Sequence, residues 1–145
     1  MGAFAFLLIQ SLCSNSVKTA HSQARYNLTL IIHFDNYPAE INWNIVDTNN
    51  FIVLSGNGYN SSQYDSITQS VMINDNCHKL IIYDSFGDGF YQKKGDWGWF
   101  TMHLNDIMIT LGKQTFFGSQ TDLFFCPSVL VCLMQIVPII IKQQV

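Results

Sequence analysis

The 145-residue sequence predicts an all-β fold, an antiparallel two-sheet sandwich, jelly-roll-like, of about eight strands. Three observations predict it. Short runs alternate apolar and polar residues, as a strand with one buried face requires. Clusters of Gly, Asn, Asp, Ser and Pro punctuate those runs at regular spacing. Between Arg25 and Cys126 no stretch carries the apolar repeat of an amphipathic helix. An up-and-down barrel is the main alternative, and no repeat of fixed period appears.

The first strand spans Asn27 to Asp35, with Leu28, Leu30, Ile32 and Phe34 on one face and Thr29, Ile31, His33 and Asp35 on the other. Ile41 to Val46 and Phe51 to Leu54 are the second and third, joined by a turn at Asp47-Thr48-Asn49-Asn50. After a polar loop from Ser55 to Asp65, Ile67 to Ile73 and Cys77 to Tyr83 flank Asn74-Asp75-Asn76. A long loop from Asp84 to Gly98 holds four glycines. Trp99 to Leu104 and Ile107 to Leu111 flank Asn105-Asp106, the signature of a tight hairpin. Thr121 to Phe125 closes the set.

The ends differ from this body. Residues 1–24 read as a signal peptide, with an apolar run from Ala3 to Leu12 and small residues Ser22 and Ala24 before the expected cut. The domain is 25–126. The tail, 127–145, is apolar with Pro138 inside it; a membrane anchor is one reading and a frayed terminus the other.

All ten carboxylates fall between Asp35 and Asp122, against five basic residues in the domain, a net charge of −5 there. Nucleic acid is excluded as a partner, because phosphate binding needs clustered Lys and Arg. Cys77 and Cys126 lie in the domain and can pair in an oxidising compartment; two buried thiols are the alternative. Asn27-Leu28-Thr29 and Asn60-Ser61-Ser62 are glycosylation acceptor triplets, so Asn27 and Asn60 are candidate glycan sites.

Two motifs carry chemistry. In Asp35-Asn36-Tyr37-Pro38-Ala39-Glu40-Ile41-Asn42-Trp43 a strand enters a Pro turn and the next strand opens on Trp. In Ile82-Tyr83-Asp84-Ser85-Phe86-Gly87-Asp88-Gly89-Phe90 two aspartates share a Gly-rich bend, where positive φ lets carboxylates and carbonyls curl around one centre. Asp84, Asp88, Asp35 and Glu40 are therefore candidate calcium ligands, since calcium takes several oxygens in a flexible geometry. The alternative is that each Asp caps its own turn.

These motifs resemble those of small secreted β-sandwich modules with the pattern D-x-Y-P-x-E-x-x-W followed by C-Y-x-F-x-I-Y-D-S-x-G-D-G and a late Gly-Ser turn, matched here by Gly118-Ser119. The resemblance spans Asn27 to Cys126 and implies an extracellular or cell-surface module, found beside adhesive and protease regions, rather than a reaction. Two cysteines common in such modules stand as Met72 and Tyr91 here.

The expected function is thus an extracellular, calcium-stabilised binding or adhesion module with a glycan or protein ligand, and not an enzyme. Trp97 and Tyr91 are the candidate ligand-binding aromatics, with Trp43, Trp99 and Phe86 expected in the core. A small carboxylate-dependent glycoside hydrolase is the alternative, and a structural surface protein without a specific ligand is another. His33, His78 and His103 with Cys77 match no zinc spacing.

Overall fold

The computed structural model describes residues 24–60, 65–90, 97–113 and 118–130. The signal-peptide segment up to residue 23, Tyr91, Ser61 and Ser62 of the second acceptor triplet, and the tail beyond Leu130 lie outside the described residues. The strands are β1 (Tyr26–His33), β2 (Ile41–Asp47), β3 (Ile52–Gly56), β4 (Ser66–Ile73), β5 (His78–Asp84), β6 (Trp99–Leu104), β7 (Ile107–Lys113) and β8 (Gln120–Phe125). They form two antiparallel sheets of four, ordered β4-β1-β6-β7 and β3-β2-β5-β8. The fold is the predicted two-sheet sandwich and not a barrel. Three strand ends shift by two residues: β3 runs on to Gly56, β7 runs on to Lys113, and β1 ends at His33 because Phe34 leaves the ladder to donate its amide to the Asp65 carbonyl (3.0 Å).

The strand pleat sends alternate residues inward. Leu28, Leu30 and Ile32 of β1 and Phe100, Met102 and Leu104 of β6 meet Trp43 and Ile45 of β2 and Leu80 and Ile82 of β5 in one buried cluster. Each such side chain contributes roughly 1.5–3 kcal/mol by leaving water. Trp43 satisfies its buried indole N–H by donating to the Tyr59 hydroxyl at 2.8 Å, as a core Trp must.

Among the described strands only β2–β3 and β6–β7 are hairpins; the other connections cross between sheets. At Asn105-Asp106 both residues have positive φ (48° and 67°), the backbone that matches a two-residue hairpin to strand twist. The Asn105 side-chain oxygen accepts from the Asn27 amide (2.9 Å), tying this turn to the start of β1.

Strand directions sort the connections into two ends. Segments 48–51, 74–77 and 105–106 lie at one end, where Cys77 and Cys126 are disulfide-bonded with Cα atoms 4.0 Å apart. Among the described residues, 34–40, 57–60, 65, 85–90, 97–98 and 118–119 lie at the other. After β8 a helical turn begins, in which Val129 and Leu130 donate to the Cys126 carbonyl (both 3.1 Å). Among the described residues no helix is long and apolar enough to cross a membrane.

Candidate functional site

The Pro38 turn and the Gly87 bend become neighbours through strand pairing. β2 and β5 pair with Ile41 opposite Asp84, so the residues just before β2 face those just after β5. A single 3-10 turn, Pro38–Glu40, leads into β2, and the Ser85 amide donates to the Glu40 carbonyl (3.0 Å). Proline suits the first position of that turn because its φ is already set and its missing N–H is not needed there.

Asp84 organises the bend. It is 2 % exposed. One of its carboxylate oxygens accepts from the Phe86 amide (2.8 Å) and the other from the Gly89 amide. Gly87 and Gly89 take positive φ (93° and 71°), which a residue with a Cβ would adopt only under strain. The bend then drops Phe90 into the core, fully buried and 6.3 Å from the Phe100 ring.

Glu40, Asp84 and Asp88 each place a carboxylate oxygen within 4.8 Å of the others. Oxygens on opposite sides of a calcium ion bound at about 2.4 Å stand about 4.8 Å apart, so this spacing fits a single ion. Asp35 is not in that group. Its Oδ1 accepts from the Tyr37 amide (2.9 Å), the turn-capping role, yet it remains close enough to feel the same charges.

The electrostatics record the crowding. Burial raises the Glu40 carboxyl above its ordinary range, and the charges of Asp84, Asp88 and Asp35 add to the rise. Asp88 is raised by burial and then by the Asp84 charge, against a lowering backbone hydrogen bond. Asp35 is raised by burial, opposed by the Tyr37 amide, and pushed further by Asp88 and Asp84. Like charges held together favour the protonated form unless a cation neutralises them.

The aromatics are arranged differently from expectation. Phe86 is not core: it is 74 % exposed at the tip of the bend, while Phe90 takes the buried place. The physical reason is the Gly87–Gly89 turn, which reverses the chain between them. Trp99 is also not fully enclosed; it is half-buried and meets His33 edge-on at 5.5 Å. Trp97 is half-buried in the last part of the loop. Tyr37, part of the Pro-turn motif but not among the candidate ligand-binding aromatics, is 57 % exposed in the neighbouring turn. Its place between Asn36 and Pro38, in a turn rather than a strand, was the available signal.

The histidines are separated. His78 is buried, 5.8 Å from the Phe125 ring, with Nδ1 2.7 Å from the Asn76 carbonyl. His33 bonds the Asp65 carbonyl (2.8 Å) and His103 the Thr101 hydroxyl (3.2 Å). Cys77 is in a disulfide and offers them no thiolate. Away from the acidic end, an apolar groove of ≈ 260 Å³ runs between Ile109 and Thr110 of β7 and Leu123 to Leu130. Asn60 is exposed, and Asn27 is half-buried at the start of β1. The chain matches no protein-family model and no curated protein sequence.

Proposed function

We propose that the chain is an extracellular binding or adhesion module whose acidic end is held by a calcium ion. The observation that carries this reading is the convergence of Glu40, Asp84 and Asp88 within 4.8 Å from two separate connections. Strand pairing and the Ser85–Glu40 backbone bond hold the two connections together, and two amides fix the Asp84 carboxylate between them. Each Asp84 oxygen spends one acceptor site on an amide and keeps another for a metal. The Cys77–Cys126 disulfide supports an oxidising, extracellular setting, with glycans expected at Asn27 or Asn60. The exposed rings of Phe86 and Tyr37 beside the ion are the surface offered to a glycan or protein ligand, with Trp97 and Tyr91 in the same long loop. The apolar tail is the route to a membrane tether.

A glycoside hydrolase built on the same carboxylates is the rival reading. Its acid and base need about 5–5.5 Å or 6.5–9.5 Å between them, with a sugar cleft. The three oxygens here are closer than that, and the described groove lies at the other end of the sandwich.

Thermal melts of the whole protein with EDTA and then with calcium test the proposal. Calcium should raise the midpoint, and Asp88→Asn should remove that rise while leaving the circular-dichroism spectrum unchanged. A wild-type midpoint indifferent to millimolar-range calcium would remove the metal from the reading.

A further inference from the structure

We infer that Asn57 is the residue at which this chain preferentially deamidates, through attack of the Gly58 backbone nitrogen on the Asn57 side-chain carbonyl carbon. Asn57-Gly58 is the sole Asn-Gly pair in the sequence. Both residues are exposed in the connection that follows β3. Neither the Asn57 side chain nor the Gly58 amide bonds to any described residue. A Cβ built on Gly58 would meet nothing within 4 Å, so no described residue packs against that side of Gly58, and glycine itself has no side chain to cover its nitrogen. Gly58 sits at φ +70°, a conformation that glycine adopts freely, so the turn itself calls for the residue that exposes its neighbour.

Six other asparagines lack this freedom. The amide after Asn36 is spent on Asp35, and the amides after Asn49 and Asn50 are spent on Asp47. Asn42 and Asn44 precede Trp43 and Ile45 inside β2, a strand paired on both sides. Asn27 precedes Leu28, locked between β4 and β6. At each of these the nitrogen that must attack is already a donor or is fixed in a ladder.

The step balances without an oxidant or metal. The Gly58 nitrogen bonds to the Asn57 side-chain carbonyl carbon, the carbon–nitrogen bond of the side-chain amide breaks, and the nitrogen leaves as ammonia carrying the Gly58 amide proton. Water then opens the succinimide ring at either carbonyl, giving aspartate or isoaspartate. Both products add a negative charge at the end of the sandwich that already holds Glu40, Asp84 and Asp88. Isoaspartate also adds a methylene to the backbone two residues before Tyr59, whose hydroxyl accepts the Trp43 indole proton and whose ring lies 4.7 Å from Phe34.

The test is peptide mapping by mass spectrometry, with isoaspartate detection, of the whole protein aged in mildly alkaline buffer. A parallel sample is aged in urea, and Asn57→Gln serves as control. Asn57 should convert before every other asparagine, at a rate within about threefold of the urea-unfolded chain, because an unprotected loop resembles its unfolded state. In Asn57→Gln the main acidic species on charge separation should vanish. Earlier conversion at another asparagine, or a folded-state rate lower than the unfolded rate by more than that threefold margin, would overturn the inference.

Discussion

The two ends of the sandwich use the same residue type to opposite effect. At the disulfide end, Asp47 accepts from the Asn49 and Phe51 amides (2.8 and 2.9 Å), Asn74 accepts from Asn76 (3.0 Å), and the turns are short. Asp47 and Asn74 each close their own bend there. At the other end Asp84 performs the same service for Phe86 and Gly89, but Glu40 and Asp88 crowd it. A capping aspartate is therefore distinguished from a proposed metal ligand by its neighbours, since its own hydrogen bonds look alike in both places. One end is closed covalently, and the other holds charge that its own bonds leave uncompensated.

Breaking the covalent end should have the largest effect. The disulfide closes 49 residues of sequence, and the chain-entropy relation gives about 4 kcal/mol for a loop of that size. Cys126→Ser should lower stability in urea by that order, in calcium and in EDTA alike. A loss under about 1 kcal/mol would show that the acidic end, not the disulfide, governs unfolding.

Calcium should matter next. An ion present at a hundred times its dissociation constant stabilises by about 2.7 kcal/mol, which Glu40→Gln and Asp88→Asn should each abolish. Asp84→Asn separates the two roles of that carboxylate. It should destabilise the metal-free protein as well, because the amides of Phe86 and Gly89 lose a charged acceptor. In EDTA, Asp88→Asn should be neutral or stabilising, since it removes one of the repelling charges.

A smaller effect is expected for Asp47→Ala, about 1–2 kcal/mol from two lost amide acceptors, with no dependence on calcium. A calcium-dependent cost there would erase the distinction between the ends.

The smallest signal is the pH slope of the metal-free protein. Asp35, Glu40 and Asp88 have folded values above their ordinary ones, so the native state binds more protons than the unfolded chain across that window. Their contribution is fully present below the ordinary carboxylate range and is lost as pH rises through the folded values. Urea unfolding in EDTA should therefore show stability declining as pH rises through and above the ordinary carboxylate range, a slope that the Glu40→Gln/Asp88→Asn double variant flattens.

Much of the fold was legible because β1 and β6 alternate cleanly, with Leu28, Leu30 and Ile32 facing Phe100, Met102 and Leu104 across one sheet pairing. β4 was harder. Thr68, Gln69 and Ser70 are all exposed on an edge strand, so its inward positions reduce to Ile67, half-buried Val71 and Ile73. The candidate ligands were readable as two motifs, but their meeting depends on Ile41 pairing with Asp84, a long-range register that no local spacing encodes. Phe90, and not Phe86, is buried for a local reason. Hydrophobicity ranks them equally, and only the handedness of the backbone at Gly87 and Gly89 decides which one turns inward.

The link from Cys126 to Cys77 also decides how the molecule carries mechanical load. Cys126 follows an edge strand, and edge strands normally peel away one hydrogen bond at a time when pulled from their end. Here a pull applied beyond Cys126 passes through the sulfur–sulfur bond to Cys77, at the mouth of β5, which is held by partners on both flanks. The force then loads a central strand instead of the outermost one alone, so in an oxidising medium β8 is shielded from traction at its own terminus.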